Sequence, residues 1–164
     1  MKRCIALAVV LFFVSVCAGA ADAPASRADF ALSLWEACGQ VPAEIPPFTD
    51  IGPNESYTEA VGWCFNRELM QGVGDGLFEP DRPITREEAA VVLRRYCAMV
   101  GLDTFYPSGV AACNEYEGIS SWADDSLYWA CGEGWIEWSE GGRLDPLGVL
   151  TTTQLSQLMA RLSQ

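Results

Sequence analysis

One pattern occurs three times along this chain, and any fold has to accommodate three copies of it. The copies read Ser26-Arg27-Ala28-Asp29, Thr85-Arg86-Glu87-Glu88 and Thr151-Thr152-Thr153-Gln154. A shift of 59 residues carries the first onto the second, and a shift of 66 carries the second onto the third. Each opens on a hydroxyl residue followed three places later by an acid or an amide. That is the pattern of a capping box, in which the hydroxyl accepts from an early helical N–H and the later side chain accepts from the cap's own N–H. Apolar residues then recur at helical spacing, as Ala89, Val92, Leu93 and Tyr96 do in the middle copy, and Gly39 and Gly101 supply stops.

The two later copies predict a second helix upstream. Ser56-x-x-Glu59 reads as another capping box, opening a helix with Tyr57, Ala60, Val61, Cys64, Phe65 and Leu69 on one face. Its counterpart starts near Ser121 and runs through Leu127, Ala130 and Cys131. Between the helices lies the turn Gly72-Val73-Gly74-Asp75-Gly76-Leu77-Phe78-Glu79-Pro80, matched in the third copy by Glu140 to Pro146. The unit is therefore helix, glycine loop, short extended stretch and capped helix, and the first copy contains only the capped helix. Trp63 and Trp129 fall at equivalent helical positions, where packing is expected, and Trp138 beside the third-copy turn could pack or present a face to a sugar.

Composition limits what such repeats can do. The 164 residues suit one domain or one set of small repeats. Residues 1–20 read as a cleaved secretory signal: basic Lys2 and Arg3, an apolar run from Ile5 to Val16, and small residues Ala18-Gly19-Ala20. An uncleaved anchor, or lipidation at Cys17, is the alternative; no membrane span is expected after cleavage. Of ten cations, Lys2 and Arg3 go with the signal, leaving eight arginines against 22 carboxylates, a net charge of −14. That balance argues against nucleic acid as a partner. Having no histidine removes the histidine-based triads and metal sites.

Cys38, Cys64, Cys97, Cys113 and Cys131 remain in the mature part, where export makes disulfides plausible. Cys38 and Cys97 are equivalent under the 59-residue shift, and Cys64 and Cys131 lie one place from equivalence. Bridges Cys38–Cys64 and Cys97–Cys131 would staple successive copies; small buried thiols are the other reading. Asp75 to Asp81 carries three carboxylates without the alternation of a calcium loop, so a solvated acidic turn is expected and no metal. No pair of acids is singled out for glycoside hydrolysis, and no cofactor is implied.

The unit resembles the S-layer homology (SLH) repeat of bacterial surface proteins. The matching residues are Phe48-Thr49-Asp50, the helix with Ala60-Val61, Gly72-x-Gly74-Asp75-Gly76-x-Phe78-x-Pro80 and Ile84-Thr85-Arg86-Glu87-Glu88. The third copy matches through Trp122-Ala123-x-x-x-Leu127, Leu144-x-Pro146 and Leu150-Thr151, and the first through Ser26-Arg27-Ala28-Asp29-Phe30. The resemblance implies an all-α fold of three SLH-like repeats, the first partial, in a pseudo-threefold helical bundle. The divisions are 1–20 signal, 21–47 partial repeat and linker, 48–101 repeat, and 102–164 linker and degenerate repeat.

The resemblance further implies a noncatalytic module, exported to the bacterial cell surface, that binds a wall-linked polysaccharide in grooves between repeats. Carried over by position, the glycan-binding residues are Arg27, Arg86, Gly74, Asp75 and Gly76. Thr152 and Gly141 replace the expected arginine and aspartate in the third copy, so one groove should be weak or lost. The alternative is an extracellular structural module that has lost glycan binding and contacts another surface protein. The residues add a point of their own. An arginine at the first helical position faces the positive end of the helix dipole, a cost of about 0.3–1 kcal/mol. An anion docking on the guanidinium and the free N–H groups would account for it, as would neutralisation by Asp29, Glu87 and Glu88.

Overall fold

The computed structural model describes residues 22–105, 118–123 and 125–163. The expected signal over 1–20, the lipidation candidate Cys17, Cys113 and most of the linker 102–118 lie outside the described residues. Among the described residues five helices form: α1 (Arg27–Ala37), α2 (Thr58–Asn66), α3 (Arg86–Met99), α4 (Ser126–Gly132) and α5 (Thr152–Leu162). Among the described residues, extended pairing is limited to isolated bridges, so the architecture is all-α.

The three expected capping boxes all form. Ser26, Thr85 and Thr151 are the N-caps of α1, α3 and α5, with φ/ψ of −82/168, −78/160 and −91/162. Their hydroxyls accept from the N–H groups of Asp29, Glu88 and Gln154 at 3.0, 3.3 and 3.2 Å, and those side chains accept in return from the cap N–H groups. Each cap stabilises its helix by about 1 kcal/mol. Gly39 and Gly101 follow the ends of α1 and α3 at φ 83 and 82, the left-handed stop that glycine permits.

The residue before each cap joins a closed cycle. Ala25 N–H donates to Leu150 O (2.8 Å), Leu150 N–H to Ile84 O (3.2 Å), and Ile84 N–H to Ala25 O (2.9 Å). One helical step on, a second cycle runs from Arg27 N–H to Arg82 O (2.9 Å), from Arg86 N–H to Gly148 O (2.8 Å) and from Thr152 N–H to Ala23 O (2.8 Å). The bonds of the second cycle satisfy helix N-terminal donors that have no intrahelical partner. Ala25, Ile84 and Leu150 are buried at the centre, and around them pack Phe30, Leu34, Leu93, Leu127 and Leu155. Helix α1 packs on α2 and α5, and α3 packs on α4.

The upstream helices depart from expectation. No capping box forms at Ser56: the N-cap of α2 is Tyr57, without a side-chain bond, and Thr58 Oγ1 instead donates to Gly52 O at 2.6 Å. The preceding turn ties down the helix start through Thr58, which displaces the serine from the cap. Likewise α4 begins at Ser126 rather than near Ser121. Helix α2 is also buried over more than one face, since Thr58 and Ala60 through Cys64 are all enclosed. The linker segment crosses it at Gly62, where an added Cβ would lie 2.0 Å from the carbonyl oxygen of Glu44. Gly62→Ala must therefore displace backbone, and a loss of about 1–3 kcal/mol is expected. Thermal unfolding followed by circular dichroism checks this; Gly118→Ala, whose added Cβ would meet only Pro146 Cγ at an ordinary 3.7 Å, serves as the mild comparison.

The expected disulfides do not form. Cys38, Cys64 and Cys97 are reduced thiols, so neither Cys38–Cys64 nor Cys97–Cys131 is bridged. Cys64 and Cys97 are enclosed among core side chains as small apolar groups. Burial, reinforced by nearby Cys38, pushes the Cys64 thiol up to about 12. Cys131 Sγ lies 3.7 Å from Nη2 of Arg86.

Candidate functional site

The two repeated arginines begin their helices as expected, but their guanidinium groups turn away from those helices and onto the next unit. Arg27 Nε donates to Phe78 O (2.8 Å) and Nη2 to Gln71 O (2.7 Å), and the guanidinium carbon lies 4.6 Å from the centre of the Phe78 ring. Arg86 repeats the arrangement: Nε donates to Leu144 O (2.8 Å) and Nη2 to Glu137 O (2.7 Å). Gln71 and Phe78 map onto Glu137 and Leu144 under the 66-residue shift. Each arginine thus clasps the two ends of the following unit's glycine loop. Both are almost fully enclosed, at 5% and 4% exposure.

The loop tip lies between the clasped carbonyls. Gly74, Asp75 and Gly76 have φ of 119, 51 and 72, and the turn closes through Val73 N–H to Leu77 O and Leu77 N–H to Gly74 O, both 2.9 Å. All three are exposed. The Asp50 carboxylate accepts from Phe78 N–H and Glu79 N–H, at 2.9 and 2.7 Å, and anchors the loop exit. Arg27 is therefore brought to the base of the loop, at Gln71 and Phe78. The third position, Thr152, has no arginine; its hydroxyl donates to Asp22 at 3.0 Å.

The acids divide their work. Asp29 is spent on its capping box, and Glu87 accepts from Ser120 N–H and Oγ, both at 2.9 Å, fixing the chain just before Trp122. Glu88 alone pairs with Arg27, at 3.1 Å, and also with Arg82, at 2.6 Å. Burial raises the Glu88 pKa, but bonds from Arg82 and Thr85 and the charge of Arg27 outweigh it, so the carboxyl titrates below its ordinary 4.5. Burial lowers the pKa of Arg27, opposed by Glu88, and the guanidinium remains a cation.

A cleft of about 440 Å³ opens beside this clasp. Its floor is Leu69, Met70, Val91 and Val92; its polar groups come from Arg27, Gln71, Glu88 and Arg95, and Trp122, 55% exposed, stands at its edge. A smaller cleft of about 170 Å³ repeats it in the next unit, with Trp135, Ile136, Glu137, Gln154, Leu158 and Arg161 where the first has Leu69, Met70, Gln71, Glu88, Val92 and Arg95. Arg95 Nη1 donates to Leu69 O at 3.2 Å, and Arg161 donates to Gly134 O and Glu133 O while lying 4.4 Å over the Trp135 ring. Sequence reasoning missed Arg95 and Arg161 as site residues, although both fall on the 66-residue shift at the end of a capped helix. It used Trp122 only as a repeat marker. Trp63 and Trp129 pack as expected, at 2% and 1% exposure, and Trp138 stacks edge-on against Tyr128 at 5.7 Å.

Comparison with known proteins fits this arrangement. The S-layer homology domain family matches residues 47–90, which include α2, the glycine loop and the start of α3. Over that stretch the chain is similar to S-layer homology domains. It is also 25% identical over 121 residues to a cell surface protein of Thermoanaerobacter kivui. That match covers 73% of this chain and 16% of the relative, so the chain spans about a sixth of that protein.

The third copy suggests a clean test of the Glu88 ion pairs, because Gln154 closes the same capping box without a charge. Glu88→Gln should keep the cap and lose the pairs with Arg27 and Arg82. The depressed Glu88 pKa contributes stability that is complete above the unfolded value and is lost as pH falls below about 4.5. The variant should therefore melt below the wild type at pH 7 and approach it near pH 3, as read from melting temperature against pH.

Proposed function

We propose that this chain is a noncatalytic cell-surface module that binds a wall-linked polysaccharide, and that it consists of three SLH-like units, the first partial, about a pseudo-threefold axis. The two hydrogen-bonded cycles support the threefold reading, since equivalent residues of the three copies bond in the same sense. The observation that carries the function is the cleft at Arg27, lined by Arg27, Arg95, Gln71, Glu88 and the exposed Trp122 beside an apolar floor. Arginine suits carboxylate-bearing sugars, and an indole face suits the C–H side of a sugar ring. The S-layer homology match and the cell surface protein relative support placement at the bacterial surface.

In this reading Arg27 contributes to the cleft directly, and Arg86 holds the corresponding wall of the smaller cleft. Gly74, Asp75 and Gly76 shape the loop whose base forms the cleft wall and present exposed backbone to a longer ligand. Thr152 in place of a third arginine leaves two clasped interfaces. A net charge of −14 repels an anionic polymer at long range, so attraction depends on the local arginines and weakens as salt screens them.

A second reading has one observation in its favour: Arg27 and Arg86 already spend donors on loop carbonyls, as they would in a module that only holds its shape and contacts another protein. Retention on purified bacterial sacculi separates the two. Trp122→Ala and Arg95→Ala should each reduce retention about tenfold, an effect of the size expected for losing one stacking or charge-assisted contact. Both side chains are exposed, so melting temperatures should change little. Retention unaffected by either substitution would instead support the second reading.

A further inference from the structure

The cleft at Arg27 does not end at Arg95. Gln71 and Arg95 also line an adjoining open groove of about 830 Å³, which runs along the C-terminal ends of α2 and α3 past Asn66, Arg67 and Met99. Both depressions fall within or near the roughly 300–1,000 Å³ typical of small-ligand sites. Arg95 stands on the ridge between them, its Nη1 donating to Glu68 O and Leu69 O at 3.3 and 3.2 Å. Arg67 lies further along the groove, exposed and stacked 4.8 Å over the Trp63 ring, on the α2 C-terminus where the dipole favours a cation.

The charge pattern along this line is unusual for the chain. With 22 carboxylates against ten cations, each arginine has an excess of acids to pair with. Yet the ion pairs among the described residues join only Arg27 and Arg82 to Glu79 and Glu88. Arg67 and Arg95 make none within 4.0 Å, although Glu68 shares the groove with them. Three guanidinium groups, from Arg27, Arg95 and Arg67, therefore follow one another across two connected depressions. The smaller cleft lacks this extension, because Glu133 occupies the position of Arg67 and Gly132 that of Asn66.

We infer that the cleft and the groove form one track for an anionic saccharide at least two sugar residues long, with Arg95 between neighbouring sugars and Arg67 at the far end. The inference rests on the glycan-binding reading above and adds the length of the bound segment, its path, and the restriction of that path to one of the two clefts.

The test uses wall polymer released from sacculi by mild acid and sized into single-sugar fragments and fragments of two to four sugars, titrated calorimetrically into the chain. The longer fragments should bind about tenfold or more tighter than the single sugars, the gain expected when a second, linked contact is added. Arg67→Met, which keeps an unbranched side chain at that position and removes the charge, should abolish that gain and leave single-sugar affinity unchanged. Met99→Glu, placing an acid on the groove wall, should do the same without touching the Trp63 stack. Equal affinity for short and long fragments, or equal weakening of both by Arg67→Met, overturns the track and leaves the cleft reading standing. Binding of neither fragment by the wild type overturns both.

Discussion

Everything in this fold is hung on three helix N-termini that satisfy one another. A helix start exposes donors with no intrahelical partner, and burying them unpaired costs about 1–3 kcal/mol each. Here Ala25, Ile84 and Leu150 bond around a closed cycle, and Arg27, Arg86 and Thr152 bond around a second one. Each capping sequence serves twice as a result. Its side chain closes one helix, and its extended backbone supplies acceptors to a neighbour. That dual use explains why the capped helix is the element present in all three copies, while the upstream helix and glycine loop appear in only two.

The arginine clasp follows from this geometry. A cation at a helix start is unfavourable when only its own helix is considered. Projected across the interface, the same guanidinium reaches two carbonyls of the neighbouring loop and, at Arg27, stacks on that loop's Phe78. The arginine is retained where a following loop exists to be held, at Arg27 and Arg86. At position 152 stands a threonine, whose hydroxyl donates instead to Asp22. Held in this way, the loop base becomes a fixed wall, and the cleft beside it takes its shape from Gln71, Arg95 and Trp122.

The sequence revealed the elements governed by local chemistry. All three capping boxes, both glycine stops and the packing of Trp63 and Trp129 could be read from spacing alone. The misses were set by tertiary contacts. Ser56 has the cap pattern, but Thr58 bonds to Gly52 and takes over the helix start. Cys38 and Cys97 occupy equivalent positions, but Cys97 lies buried in the core as a thiol. Arg27 and Arg86 were placed correctly on their helices, yet their targets, carbonyls 44 to 58 residues away, leave no local signature. Arg95 and Arg161 did leave one, the same shift that relates the caps, and could have been found by extending the comparison to the helix ends.

The bond from Ala25 to Leu150 has a mechanical consequence. It joins the first copy directly to the third along the seam where α1 packs against α5. Tension that separates α1 from α5 bears on that seam before it reaches the interfaces fastened by Arg27 and Arg86. The ring has one unclasped joint, and that joint lies in the line of pull.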